Sequence, residues 1–508
     1  MQLPISAGLI LIVVIWGIVS PTSLGAVFDS ALAIFTKNFG WLYLWTVLGV
    51  VIFALFLAFS RYGNLKLGKE DDEPEFALGS WFAMLFAAGM GIGLVFWGVA
   101  EPISHYVTAP PGIAPTTPEA ANAAMRYSFF HWGLHPWAVY SVVALTIAFF
   151  QYRRNRSSLI SESTRALPWR PIQHLSGLFD VLAVIATAFG VAASLGLGAL
   201  QINSGLQAAF GLEVSKAAQV TIIVVATALF ITSAVTGVTK GIKWLSNFNM
   251  ALAALLTLAV FLLGPTVAII DTFTTTLGTY LSEFVRMSLR MTPFRESGWV
   301  SGWTIFYWAW WVSWSPFVGL FIARVSKGRT IREFILGTVL APSLAAFLWF
   351  SVFGGTALTM EIWQAVPIAE AVKADVSTAL FAMFDVMPMG LLMSIVAVVL
   401  VLVFFVTSGD SATLVLGMMS TGGNPNPPRK ITIIWGCLIA GIAISLLLAG
   451  GLQAVQTATI VFALPFTVVI VLMGVSLWRA VREDWHEEQR QERALRQRLR
   501  ELAQRSMQ

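Results

Sequence analysis

Residues 299–321 read WVSGWTIFYWAWWVSWSPFVGLF: six tryptophans (299, 303, 308, 310, 311 and 314), Tyr307 and three phenylalanines in one apolar run with no charged residue. At helical spacing Tyr307, Trp310 or Trp311, Trp314 and Phe317 share a stripe, because positions three, four and seven apart lie on one face. Such a stripe is either packing or lipid-facing bulk, or one wall of a pocket for a cation, which each ring face attracts by about 0.5–2 kcal/mol. Tryptophan at helix ends also marks the membrane interface, so the run needs context.

Composition supplies it. The chain has 508 residues, 57% hydrophobic and 11% charged, and a mean hydropathy of +0.78. A soluble domain carries about 25% charged residues, so the chain is a polytopic membrane protein. The N-terminal run MQLPISAGLILIVVIWGIV has no Lys or Arg before its apolar core and reads as an uncleaved first span. Cys437, the single cysteine, lies in an apolar run and is expected to be a small buried residue. The net charge of +5 implies no nucleic acid.

Apolar stretches of spanning length fall at 3–20, 41–60, 77–100, 129–150, 178–206, 217–236, 244–264, 300–322, 333–355, 389–419, 431–449 and 453–478, which predicts twelve helices. Even-numbered connections hold sixteen Lys and Arg, odd-numbered ones seven and the tail eight. The positive-inside rule then puts both termini in the cytoplasm. Residues 101–127 read as a Pro-rich outer loop, 266–290 as an amphipathic surface helix and 356–388 as a second of the same kind. In the tail, 479–508, alternating Arg and acids predict a helix laced by pairs such as Glu492 with Arg496.

Two interruptions hint at internal symmetry. The third span contains AAGMGIGLVFWG (87–98), with glycines at 89, 91 and 93, and the eighth carries Ser-Trp-Ser-Pro at 313–316. Interrupted helices at matching places in two five-helix halves point to an inverted-repeat transporter with a midplane site. A nucleotide-binding loop is excluded, since no strand precedes these glycines and no GK[ST] follows them. In the fourth span HWGLHPWAVY (131–140) supplies a second aromatic face, Trp132, Trp137 and Tyr140. Pro136 can bend it. His131 and His135, four apart, have no Cys or carboxylate in that span to complete a metal site. The tenth span, FFVTSGDSATLVLGMM, buries Thr407, Ser408, Asp410 and Ser411. Its hydroxyls either bond back to the preceding turn or coordinate a hard cation such as sodium. Asp410 is an intramembrane carboxylate, as an ion-path residue or a structural acceptor.

GMGIG at 89–93, HWGLHPWAVY at 131–140, GWTIFYWAWWVSWSPFVGLFIARVSKGRTIREF at 302–334 and VTSGDSAT at 406–413 together resemble the betaine/choline/carnitine transporter family. The resemblance implies an all-α polytopic protein with the sodium-symporter (LeuT-like) fold and a trimeric assembly in the inner membrane. It divides the chain into two N-terminal helices (1–76), a first inverted repeat (77–264), the surface helix (265–299), a second repeat (300–478) and the tail. It also implies an aromatic cage for a quaternary ammonium group from Trp132, Trp137, Tyr140 and Trp311, with Trp310 and Trp314 lining the site and Phe306, Phe317 and Phe321 along the pathway. Trp299, Trp303 and Trp308 gain no such role and read as interface or packing residues.

Met90, Gly91 and Gly93 would border the substrate, and Ser194 would add a hydroxyl. Choline-transporting relatives have Asp at the last glycine of the helix 3 motif; Gly93 instead suits a zwitterion that brings its own carboxylate. For sodium the resemblance implies Thr407 and Ser408 with the carbonyls of Ala87, Met90 and Phe404. A second sodium position would use Thr187 and Phe317, but Val191 stands where the family has another Thr. The expectation is sodium-coupled uptake of glycine betaine or a similar methylated onium zwitterion by alternating access, with the chain in contact with membrane lipids. Competing expectations are a proton-coupled choline importer, an ectoine or dimethylsulfoniopropionate transporter, and a carnitine-type exchanger. A channel or an enzyme would need a continuous polar pore or a catalytic cluster, and the sequence offers neither. In osmoregulated relatives the basic tail senses osmotic stress.

Overall fold

The structure is a computed structural model that describes residues 2–89, 91–236, 239–294 and 298–506. Among the described residues it is helical throughout, with one isolated β-bridge between Lys66 and Thr330. Among the described residues eleven helical stretches are long and apolar enough to cross a membrane, Pro118–Arg153 counted as one.

The chain opens with α1 (Gln2–Val19) and α2 (Pro21–Phe59). The 39-residue α2 starts well before the apolar run at 41–60 because Pro21 favours a helix start and no proline follows before Ser60. The third expected span is instead two helices, α3 (Leu78–Gly89) and α4 (Ile92–Val107), of 12 and 16 residues. At ~1.5 Å per residue neither alone crosses an apolar core of ~30 Å. Gly91 in the break has φ −142° and ψ −149°, outside the helical region.

Helix α4 continues through Glu101 and Pro102, so the expected outer loop shrinks to residues 108–117. Thr117 then caps α5 (Pro118–Trp132), its hydroxyl accepting the Ala120 N–H at 3.1 Å. The chain breaks again at Gly133, not at Pro136. Pro136 is the third residue of α6 (Leu134–Ala148), where no intrahelical N–H is needed. A Cβ on Gly133 would lie 2.6 Å from both Phe129 O and the Phe347 ring, so the break is also a point of close approach.

After α7 (Ile160–Arg165) come the long α8 (Arg170–Phe210), α9 (Lys216–Thr236), α10 (Thr239–Leu263), α11 (Thr266–Ser282) and α12 (Phe284–Ser288). The aromatic run enters through a π-helical turn, Ser301–Ile305, and forms α13 (Phe306–Arg324). Contrary to the sequence expectation, α13 is continuous through Ser-Trp-Ser-Pro. Pro316 cannot donate to the Val312 carbonyl four residues back, and the Ser315 hydroxyl donates to that carbonyl instead, at 2.7 Å.

Helix α14 (Ile331–Trp363) overruns its expected span, and short helices α15 (Ile368–Ala374) and α16 (Ala379–Asp385) replace the single surface helix expected over 356–388. Then follow α17 (Gly390–Ser420), α18 (Arg429–Gly450) and α19 (Leu452–Ser506). Cys437 is exposed on the flank of α18, not buried. Helix α13 packs against α6, α8 and α19, and α17 against α8, so the aromatic helix runs through the centre of the bundle.

The fourth connection meets the tail, and the eighth meets the second. Arg153 pairs with Asp484 at 2.9 Å and with Glu488, Arg154 with Glu483 at 3.2 Å, and Lys327 with Asp72 at 3.9 Å. Further along the tail Glu492 and Arg496 stand 3.6 Å apart.

Candidate functional site

The break at Gly133 puts Trp132 at the end of α5 and Trp137 and Tyr140 on α6, and α13 meets both. Trp132 and Trp311 touch edge to face, with centroids 4.9 Å apart and planes at 74°. Tyr140 meets Trp311 at 6.2 Å and 83°, and Trp137 meets Tyr140 at 5.6 Å and 83°. Trp132, Trp311, Tyr140 and Trp137 therefore form one continuous chain of edge-to-face rings. Trp310 stacks on Trp311 at 5.0 Å and 10° and faces Trp132 at 6.1 Å. Indole N–H groups fix two walls: Trp311 donates to His131 O at 2.9 Å and Trp314 to Gly190 O at 2.7 Å.

A cavity of about 10 Å³, room for about one water, lies among Gly91, Gly93, Trp132, Ser194, Trp310, Trp311 and Trp314. Trp137 and Tyr140 stand outside its lining and reach it through Trp311. Gly93 is wedged between walls, since a Cβ there would lie 2.5 Å from Trp310 Cη2 and 3.1 Å from Trp132 Cη2. A larger molecule enters only if the rings part. Two bigger cavities, of about 670 and 590 Å³, are lined almost wholly by apolar side chains on the flanks and offer a charged ligand nothing.

Two buried donors at the rings, Trp310 Nε1 and Tyr140 Oη, have no partner among the described residues. Along α13, Phe306 stacks on Trp310 at 5.6 Å, Phe317 meets Trp314 at 5.5 Å, and Phe321 is half-buried one turn on. Trp308 is buried and stacked on His135 at 5.1 Å, Trp303 meets His105 at 4.4 Å, and Trp299 donates to Thr108 O at 2.9 Å. Trp299 and Trp308 are buried and Trp303 is half-buried, so these three pack within the protein.

The sequence motifs do not reveal the carboxylate behind these rings. Glu101, fully buried on α4, has Oε1 2.7 Å from His131 Nδ1 and 3.2 Å from His105 Nε2, while Oε2 accepts from Trp132 Nε1 at 2.8 Å and from Tyr307 Oη at 2.5 Å. His131 Nε2 lies 3.0 Å from Thr304 Oγ1, and His135 Nε2 2.8 Å from Ser288 Oγ. The missing signal was a Glu twelve residues beyond Gly89, within reach of a helix that Pro102 does not end. Glu101, His105 and His131 bring three ligand-type atoms within 4.8 Å of one another, but the hydrogen bonds account for their placing.

On α17 the Thr407 hydroxyl donates to Val403 O at 2.9 Å and lies 3.3 Å from Phe404 O. Helix α17 is not unwound there. Ser408 Oγ would be 3.9 Å from a Cβ on Gly91, so this helix passes beside the break between α3 and α4. Ala87 belongs to the last turn of α3; Met90 lies outside the described residues. Thr187 is buried on α8, its hydroxyl without a partner among the described residues, one turn from the buried Val191. Asp410 accepts from Ser233 Oγ at 2.5 Å, which ties α17 to α9.

The chain matches the model of the BCCT, betaine/carnitine/choline family of transporters over residues 3–486. It is 49% identical to the glycine betaine transporter OpuD of Bacillus subtilis over 93% of each chain. It is 46% identical to an ectoine/hydroxyectoine transporter of Virgibacillus pantothenticus, over 94% of this chain and 95% of that one, and 44% identical to glycine betaine transporter 1 of Vibrio parahaemolyticus, over 87% and 85%. A solved Na+-coupled sialic acid symporter aligns with a TM-score of 0.47 at 14% identity over 86% of this chain and 87% of that one, too distant to carry an argument. The chain belongs to the betaine/carnitine/choline family and is a multi-pass membrane transporter, not an enzyme.

Proposed function

We propose that the chain is a secondary active transporter that takes up glycine betaine, or a similar methylated onium zwitterion, coupled to sodium. The carrying observation is the chain of rings from Trp132 through Trp311 and Tyr140 to Trp137, on helices on either side of a small central cavity. Ring faces attract a methylated cation without a formal countercharge, which lets the site release it again. The unpaired donors Trp310 Nε1 and Tyr140 Oη are suited to a substrate carboxylate or carbonyl. Closure of the rings to a one-water cavity fits alternating access, in which the rings part towards each side in turn.

Sodium would sit between the break in the third span and Thr407, Ser408 and Phe404 O, with the carbonyls of Ala87 and Met90 completing the set. The lost hydroxyl at Val191 leaves Thr187 short of a partner for a second ion. The two inverted five-helix repeats, the trimer, an inner-membrane location and cytoplasmic termini belong to the same reading. The ion pairs of the fourth connection with the tail, and of the eighth with the second, support one side for these connections and the tail.

An ectoine substrate is the second reading, favoured by the relative at 46% identity. Uptake of radiolabelled betaine into proteoliposomes, competed by choline, carnitine, ectoine and dimethylsulfoniopropionate, separates these. Betaine as the strongest competitor supports the first reading, and displacement by ectoine at lower concentration overturns it in favour of the second.

A further inference from the structure

The proposed cage has an ionisable group behind it. Glu101 is fully buried and receives four hydrogen-bond donors, two of which belong to aromatic rings at the site: Trp132, which lines the cavity, and Tyr307. Tyr307 in turn stacks under Trp311 at 5.8 Å and 22° and beside Trp310 at 6.2 Å and 29°, and its ring edge meets Trp132 at 5.7 Å. One carboxylate oxygen, Oε2, is thus bonded to rings on both sides of the cage, α5 and α13.

The histidines leave the charge of Glu101 in place. A neutral His131 that donates through Nδ1 to Glu101 and accepts the Thr304 hydroxyl proton at Nε2 satisfies both of its contacts. His105 Nδ1 is buried without a partner. A protonated His105 would bury an unpaired N–H there, whereas a neutral ring donating through Nε2 leaves only a weak acceptor bare. No Lys or Arg forms an ion pair with Glu101 among the described residues. Neutral donors around an ionised carboxylate leave one net negative charge at the outer edge of the rings.

We propose that Glu101 is a specificity-determining positioning residue: by accepting the Trp132 N–H and the Tyr307 O–H it locks the two ring walls together and polarises them, so that their faces attract an onium charge more strongly. A ring that donates its N–H or O–H to an anion gains electron density on its face, and the face is what a cation meets. Glu101 touches no substrate in this arrangement and acts through the rings. The inference rests on the reading of the rings as an onium cage, and its test separates the two.

The test is equilibrium binding to the full-length purified protein, followed by tryptophan fluorescence, of glycine betaine and of 3,3-dimethylbutanoate. The second compound has carbon in place of the onium nitrogen and keeps shape and carboxylate, so the affinity ratio isolates the charge. Wild type should favour betaine by about tenfold or more. Glu101→Gln keeps acceptor shape without the charge and should lower that ratio about tenfold while leaving dimethylbutanoate affinity within about threefold. A merely structural role would weaken both compounds together and leave the ratio unmoved, which would overturn the inference. Equal binding of both compounds by wild type would instead sink the cage reading itself. Should Glu101→Gln fail to fold, Tyr307→Phe carries the same test, because it removes one donor and keeps the ring; a ratio equal to wild type would contradict the proposal.

Discussion

Gly93 lies against Trp310 so closely that a Cβ on it would stand 2.5 Å from Cη2 of the indole. Real side chains do not tolerate that distance, so any residue but glycine moves the Trp310 ring. Gly91, two residues earlier, has open space, with Ser408 Oγ 3.9 Å away as the nearest atom. Gly93→Ala should therefore raise the KM for betaine uptake at least tenfold, and Gly91→Ala much less. Gly93→Asp should admit choline once Trp310 has been displaced. Equal effects of the two alanine variants would contradict this close packing.

Trp311 is the ring that joins the two halves of the cage, and Trp308 is a buried neighbour that faces away from it against His135. At about 1–2 kcal/mol per ring, Trp311→Leu should raise the apparent betaine constant by roughly 5- to 30-fold. Trp308→Leu should act on thermal stability and leave that constant within about threefold. Unchanged affinity in Trp311→Leu would return the aromatic stripe to packing.

The Ser315 hydroxyl stands in for the N–H that Pro316 lacks. Ser315→Ala should cost about 1 kcal/mol of stability, seen as a lower Tm in detergent. On a Pro316→Ala background, where the peptide N–H is restored, the same change should cost almost nothing. Additive effects in this double-mutant cycle would refute the compensation.

How much of this could be read in the sequence depends on where each effect originates. The cluster of rings was legible because it is carried by residue type: Trp132, Trp137, Tyr140 and Trp311 announce themselves on any helix. The break in the third span was legible for the same reason, through its glycines. Continuity of α13 was not, because it depends on which carbonyl the Ser315 hydroxyl reaches. Nor was the break of the fourth span at Gly133, where the Phe347 ring of a distant helix leaves no room for a Cβ. Glu101 was hidden by its proline neighbour and by partners 30 and more residues away, His131 and Tyr307 among them.

Tail docking should respond to pH. Burial and the neighbouring Glu70 carboxyl push the Glu488 carboxyl up to about 7, against the opposing pull of Arg153. Asp484, Arg154, Lys69 and Glu487 surround the same pocket. A carboxyl whose docked pKa lies above its free value contributes fully below the free value and loses its contribution as pH rises through about 7. Limited proteolysis of the tail should therefore speed up between pH 6 and 8. Glu488→Gln should flatten that dependence, and a tail cleaved at one rate across the range would refute the docking account.

The hydroxyl of Thr407 and the carbonyl of Phe404, 3.3 Å apart, belong to the proposed sodium site. Thr407→Ala should raise the sodium concentration for half-maximal uptake about tenfold or more and alter betaine affinity at saturating sodium far less. Parallel losses in both would assign Thr407 to the fold alone.

The most direct test of the account is concentrative uptake of radiolabelled glycine betaine into proteoliposomes under an inward sodium gradient. The account predicts saturable accumulation that collapses when sodium is replaced by potassium and that Trp311→Leu shifts to higher betaine concentration. Equal uptake without sodium and without a proton gradient, or a linear flux that never saturates, would contradict it.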